Sequence, residues 1–468
     1  MTYQVRDPRT GLLERELRPP SPAELAETAA GLRAAQPAWA ALTAEARAAA
    51  LLAWRKEISA AESILVSALT ADTGRYAESV MEVRSVLGML ERWAGQAPKL
   101  LATSPGPATT VPGVEVCQSL VPYQLTGVIS PWNFPLLLGL IDAIPALAAG
   151  SAVIVKPSEV TPRFIGPVMD TVQRVPLLAK TLAIVEGDGA TGAELIELVD
   201  VLAFTGSVPT GRAVGAAAAE AFIPAFLELG GKDPAIVLAG SDLERASSAI
   251  LWGATANAGQ SCLSIERVYV EEPAYERFVD LLTAKAERLR LARPGPADGQ
   301  IGPLIDPAQA LIIERHLADA FAKGAVARCG GAVETLDGGL WCKPTVLIEV
   351  DHGMLVMTEE TFGPIVPVMP ASDARHAVEL ANDSAFGLSA AVFGPDLEAA
   401  RTVAARLQAG AVSVNDAALT AFVHEGTKNS FKLSGLGGSR MGPASLFRFV
   451  RHQAHLVNRS PAHAPWWH

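Results

Sequence analysis

From residue 126 the chain repeats one rhythm: a short, continuously apolar run, a loop, then a segment of helix length. Gly127-Val128-Ile129-Ser130 leads to Pro131-Trp132-Asn133, and Ala152–Lys156 leads to Pro157-Ser158-Glu159. Leu182–Val185 leads to Gly187-Asp188-Gly189, and Val201–Phe204 to Thr205-Gly206-Ser207. Strands apolar on both faces and alternating with helices imply an α/β fold with a parallel sheet covered on both sides. Ligands of such sheets bind where the carboxyl ends of the strands open into loops. A second series follows, with strands expected at 234–238, 266–270, 344–350, 365–368, 390–393 and 411–414 and a helix at 242–258 behind the Ser241/Asp242 cap. The Ala-rich stretch 21–65, with Ser21-Pro22 and Glu24 as a helix start, reads as scaffold helix. Near 103–125, Pro112-Gly113 separates the β-branched runs Thr109-Thr110-Val111 and Val114-Glu115-Val116, which predicts a local hairpin leaving the body of the domain.

The 468 residues fit three domain-sized units, or two large ones with an appendage. Half the chain is hydrophobic and 19% is charged, a balance that builds cores rather than disorder. A net charge of -11, with no basic stripe, opposes nucleic-acid binding. The polar N-terminus lacks the apolar core of a secretion signal. The most apolar stretch, 134–150, is interrupted by Asp142 and Pro145 and is too short to span a bilayer, so no membrane partner is expected. Cys117, Cys262, Cys329 and Cys342 show no metal or redox spacing, and reduced thiols in the cytoplasm are expected. The eight histidines are scattered, and His452 and His455 lack partners, so no metal site is expected.

Two loops suit a dinucleotide. Gly187–Gly192 matches G-x-G-x-x-G after a strand, although Asp200 comes too early to be the expected acidic partner. Gly206–Gly211 opens a helix whose N-terminal amides favour a pyrophosphate. Either loop alone is as readily a tight turn; two in succession favour a dinucleotide. Lys156 and Glu159 flank Pro157 and offer a donor and an acceptor to ribose hydroxyls, although by themselves they read as a solvated pair. Cys262, in Gly259-Gln260-Ser261-Cys262, reads alone as a buried inert thiol. The helix before it presents its C-terminal end, which disfavours a thiolate, so activation must come from elsewhere. Glu228 alone is a loop carboxylate, and Asn133 alone a turn residue.

Seven strings in register decide between these readings: PWNFP at 131–135, KPSE at 156–159, FTGS at 204–207, ELGGK at 228–232, GQSC at 259–262, EETFGP at 359–364 and SGLG at 434–437. On them the chain resembles the aldehyde dehydrogenase superfamily nearly end to end. The resemblance implies that Cys262 is the nucleophile, Asn133 an oxyanion donor with the Cys262 amide, and Glu228 the base that activates water. It implies NAD contacts at Ser130, Pro131, Trp132, Lys156, Ser158, Glu159 and Gly189, and at Gly206, Ser207, Thr210 and Gly211. Further contacts are implied at Leu229, Gly230, Glu360 and Phe362. A carboxylate at Glu159 repels a 2′-phosphate, so NAD is preferred to NADP.

The architecture implied is two Rossmann-like parallel-sheet domains, for cofactor (1–102 and 123–230) and catalysis (231–440). Residues 103–122 and 441–468 would form a β-hairpin oligomerisation element of a homo-oligomer, dimer or tetramer. The product would be a carboxylate. Glu228 argues against a CoA-acylating or phosphate-dependent relative, and the complete set argues against a non-catalytic binding or structural protein. Two features pull the substrate apart. The apolar run Leu136–Ile141 suggests a greasy tunnel for an aliphatic or aromatic aldehyde, whereas Lys428 stands where relatives often carry a pocket aromatic and could read the carboxylate of a semialdehyde. Lys428 also reads as a rim lysine reaching solvent. Trp466 and Trp467 could dock on a neighbouring subunit.

Overall fold

The computed structural model describes residues 2–102, 106 and 109–460, and the Trp466-Trp467 tail lies outside them. One six-stranded sheet carries the first rhythm. Its order is Gly435–Leu436, Ala225–Glu228, Val201–Thr205, Leu125–Ile129, Ala152–Lys156 and Leu182–Ile184. The last five run parallel, and Gly435–Leu436 adds an antiparallel edge. Alternate side chains serve opposite faces, as the pleat requires. Val128, Val153, Val155 and Ala203 pack with Trp54, Leu90 and Trp93. Leu125, Ile129, Ile154, Leu202 and Phe204 pack with Leu25, Leu32 and Leu195. The Ala-rich stretch divides into Pro22–Ala40, Ala44–Ala60 and Glu62–Thr73, and the first of these starts on a full Ser21/Glu24 capping box.

The second sheet has seven strands, in the order Val326–Cys329, Thr345–Ile348, Ile365–Ala371, Ile265–Glu271, Asp233–Val237, Ser389–Phe393 and Ala411–Val414. All but the first are parallel. The chain passes from the carboxyl end of Ala225–Glu228 to the amino end of Asp233–Val237 in four residues. The first sheet therefore offers the carboxyl ends of its strands to the gap between the sheets, while the second offers amino ends. A buried ion pair pins the crossing: Lys232 Nζ lies 2.6 Å from Glu266 Oε2 and donates to Thr361 Oγ1 at 2.9 Å.

The expected local hairpin is corrected. Val114–Pro122 pairs antiparallel with Val450–Asn458, residue 114 opposite 458, and not with Thr109–Val111. The projecting β element is thus closed by two segments more than three hundred residues apart. The helix expected at 242–258 stops at Thr255, because Asn257, Ala258 and Gly259 take φ of 55°, 54° and 71° and turn the chain out of the helix. A strand pair at Tyr3–Arg6 and Leu13–Leu17 had no clear pattern in the sequence. Among the described residues no helix is long and apolar enough to cross a membrane.

Candidate active site

The gap between the sheets is lined by two loops of the first sheet, the crossing and two loops of the second sheet. Pro131, Trp132, Asn133, Thr205, Gly206 and Ser207 come from the carboxyl ends of parallel strands. Leu229, Gly230, Cys262, Glu360 and Phe362 come from the crossing and the amino ends of the second sheet, and Leu138 and Gln309 complete the wall. Asn133 and Cys262, 129 positions apart in sequence, therefore share one cleft.

Local bonds explain the placement. Asn133 is 2% exposed, and its Nδ2 donates to the Gln260 carbonyl at 3.0 Å. Its own carbonyl accepts from Arg75 Nη2 at 2.5 Å and Asn257 Nδ2 at 3.1 Å. The Arg75 guanidinium stacks over Phe134, 4.8 Å from the ring centroid, and pairs with buried Glu82 at 3.1 Å. The other Glu82 oxygen accepts from the amides of Leu136 and Leu137, closing the start of the Pro135–Leu140 helix. A side-chain amide carries two N–H groups. One of them holds the cysteine turn, and the Cys262 N–H has no hydrogen-bond partner among the described residues. The two groups expected to hold an oxyanion are thus oriented by their neighbours and retain donors.

Burial pushes the Cys262 thiol up to about 12; Glu360 adds to the rise, while Lys428 and Arg440 oppose it. Desolvation, not the helix dipole, is the main obstacle to a thiolate here, and the turn at 257–259 carries Cys262 off the helix axis. Glu228 does not line the cleft with Cys262. It stands at the end of its strand, and its Oε2 accepts from Ser430 Oγ at 3.0 Å. Burial and Glu266 raise Glu360 to about 8, and its Oε1 accepts from the Gly231 amide at 2.9 Å. Trp132 and Phe362 meet edge to face with ring centroids 5.5 Å apart.

The remaining sequence-derived residues form a trail along the first sheet. Lys156 ends its strand with Nζ buried, donating to the Gly187 carbonyl at 3.2 Å and lying 3.7 Å from Glu159. Ser130 Oγ is buried without a partner among the described residues. Ser158 Oγ accepts from the Val160 amide, and Gly189 opens the Gly189–Ile196 helix capped by Asp188. Ser207 caps the Val208–Glu220 helix through Thr210, and Gly211 sits where a Cβ would strike Leu229. Among the described residues no cluster of His, Cys, Asp and Glu could hold a metal.

The family model of the aldehyde dehydrogenase family matches residues 1–454. The chain belongs to the aldehyde dehydrogenase family. It is 39% identical over 393 residues, 82% of this chain and 72% of the relative, to a 4,4'-diapolycopene aldehyde oxidase of Methylomonas sp.. The solved structure of Anabaena variabilis PutA, named as an aldehyde dehydrogenase, superposes with a TM-score of 0.98 at 55% identity, covering 100% of both chains. A betaine aldehyde dehydrogenase of Staphylococcus aureus, solved in complex with NAD+, superposes at 0.93 with 29% identity, covering 100% of this chain and 93% of that one. An aldehyde dehydrogenase is an α/β enzyme of two Rossmann-like sheets, and this chain is an oxidoreductase acting on aldehydes.

Sequence reasoning passed over Gln260, Asn257, Arg75 and Glu82. Gln260 lies two residues before the Cys262 thiol, and nothing in that string sets its side chain apart from an ordinary polar one. Gly259 offers a test. Its φ is +71°, and a Cβ there would strike the Gly363 backbone. Gly259→Ala should displace the cysteine turn and lower kcat/KM about 100-fold, as expected for misplacement of a reacting group on the ångström scale. Steady-state kinetics alongside thermal melting checks it.

Proposed function

We propose that the chain oxidises an apolar aldehyde to its carboxylate with NAD. The observation that carries this reading is the meeting of Asn133 and the partner-free Cys262 amide around the Cys262 thiol in one cleft. The thiolate adds to the aldehyde carbon. The Asn133 N–H and the Cys262 amide hold the resulting oxyanion, whose preorganised donors need no reorganisation as charge develops. Collapse of the thiohemiacetal oxyanion breaks its C–H bond and expels hydride, for which bound NAD would be the acceptor, leaving a thioester on Cys262. Glu228, swung from Ser430, takes a proton from water, which attacks the thioester; the thiol departs and the acid is released.

The residues present suit the cofactor. Ser130 Oγ, without a partner among the described residues, and the N-terminus of the Ser207-capped helix offer a hydroxyl and free amides to a dinucleotide. Lys156, Ser158, Glu159 and Gly189 would hold the adenosine side, and Ser130, Pro131 and Trp132 the part of the cofactor nearer Cys262. Gly206, Ser207, Thr210 and Gly211 would hold the phosphates, and Leu229, Gly230, Glu360 and Phe362 the nicotinamide side. When bound, NAD supplies the hydride acceptor. The Glu159 carboxylate beside Lys156 disfavours a 2′-phosphate. The domains follow the two sheets: cofactor domain 1–102 and 123–230, catalytic domain 231–440. The Val114–Pro122/Val450–Asn458 ribbon, exposed along its second strand, is an edge suited to pairing in a homo-oligomer. A reducing cytoplasm would keep Cys262, which is free, as a thiol.

Leu138 in the cleft wall and the likeness to a diapolycopene aldehyde oxidase support an apolar substrate. Lys428 favours a second reading. Its ammonium makes no ion pair or hydrogen bond among the described residues, and its charge reaches Cys262. A semialdehyde would place its distal carboxylate there.

Replacing Cys262 with Ala should abolish NADH production while NAD binding survives, and wild-type kcat/KM should favour NAD over NADP at least about 10-fold, equivalent to one charged contact. Continued turnover by the variant overturns the reaction; an NADP preference overturns only the cofactor. Glu360 supplies a pH test. Its carboxyl ionises as pH passes about 8, and a charged acceptor binds ribose hydroxyls more strongly. The KM for NAD should therefore fall about fivefold between pH 7 and 9, and Glu360→Gln should flatten the dependence.

A further inference from the structure

Asp142 follows the apolar Pro135–Leu140 helix and is 1% exposed. Two guanidiniums close on it, Arg440 at 2.8 Å from Oδ2 and Arg448 at 2.7 Å from Oδ1. Burial pushes its carboxyl toward neutrality, but the two cations prevail and hold it below the usual carboxylate range. The cluster therefore carries one surplus positive charge where water does not screen it.

Arg448 is engaged away from the cleft. Its Nε donates to the Ser445 carbonyl, and its plane lies over Phe226 and Phe449. Arg440 reaches the cleft wall from behind: its Nη2 donates to Asp142 and to Thr205 Oγ1, while its buried Nε has no partner among the described residues. Thr205 lines the Cys262 cleft and is the register partner of Glu228 on the adjacent strand.

We propose that Arg440 is an electrostatic positioning residue for Cys262: the surplus cation of the Asp142 cluster, held on the cleft wall through Thr205, favours the anionic nucleophile. The inference rests on the role given to Cys262 under the proposed function. The charged groups acting on the thiol are Glu360 and Asp233, which oppose its ionisation, and Lys428 and Arg440, which favour it. Lys428 gives the larger pull but sits on a partly exposed loop. Arg440, with a side chain 9% exposed, acts in a drier setting that salt screens less. The charge of Arg440 is sustained in turn by Asp142, Glu228 and Cys262. No other group need move for this field to act.

The test uses charge changes of opposite sign in the full-length enzyme without cofactor. Alkylation of Cys262 by iodoacetamide is followed from pH 6 to 10 by mass spectrometry of the Cys262 peptide, so that exposed Cys117 does not contribute. Arg440→Met removes the cation and should slow alkylation about tenfold at a given pH, a displacement of about one pH unit upward. Asp142→Asn removes the anion and should displace the profile downward. Arg440→Lys should stay near wild type.

A packing role would instead impair Arg440→Met and Asp142→Asn alike, with no opposite shift, and that result overturns the inference. Should Arg440→Met fail to fold, as judged by circular dichroism and NAD binding, the sign of the Asp142→Asn displacement decides alone. Unshifted profiles with an inactive Cys262→Ala enzyme overturn only the role of Arg440; an active Cys262→Ala enzyme overturns the reading beneath it.

Discussion

The buried side chain of Gln260 is the knot on which the candidate site depends. Its Nε2 donates to the carbonyls of Asn257 at 2.9 Å and Pro303 at 3.2 Å, and its Oε1 accepts from the Ile305 amide at 2.9 Å. Its backbone carbonyl accepts from the side-chain amides of Asn133 and Asn257. One residue thus ties the loop of the first sheet, the cysteine turn of the second and the 303–305 loop before the Pro307–Ala322 helix into a single network. Because Gln260 is 1% exposed, each of these bonds replaces a lost contact with water, and breaking one would strand a buried polar group. The left-handed turn at 257–259, otherwise strained for Asn and Ala, persists because this network over-determines it.

The same logic governs the charges. The crossing between the sheets is dry, so each ion there carries a partner: Lys232 has Glu266, Arg75 has Glu82, and Asp142 has two arginines. Glu266 reaches further, accepting from the amides of Thr361 and Phe362 at 2.7 Å and so setting the turn that delivers Glu360 and Phe362 to the cleft. Dryness stabilises the arrangement and raises the Cys262 thiol. The proposed chemistry must therefore draw on nearby positive charge, which is what the Asp142 cluster provides.

Much of this was legible in the sequence, for physical reasons. The inner strands of both sheets are buried on both faces, so they appear as unbroken apolar runs, and Ala152–Lys156 and Val201–Thr205 fell where those runs lie. Cys262, Asn133 and the loops Gly187–Gly192 and Gly206–Gly211 could be named because they sit in short local strings. Features built from distant segments were hidden. Val450–Asn458 closes on Val114–Pro122 across the length of the chain, and no local pattern announces that pairing. The two-residue edge Gly435–Leu436 is too short to show a period. Gln260 and Arg440 resemble ordinary polar residues until the fold surrounds them with the carbonyls, hydroxyl and carboxylate they serve.

The central claim is that this buried cleft performs covalent catalysis on Cys262 with hydrolysis left to Glu228. The most direct measurement is the intact mass of full-length Glu228→Gln enzyme mixed with NAD and an apolar aldehyde, followed by peptide mapping. Covalent catalysis on Cys262 predicts a single acyl adduct there, formed in step with a burst of NADH and then stalled. NADH produced steadily with no adduct, or an adduct on another cysteine, would contradict it.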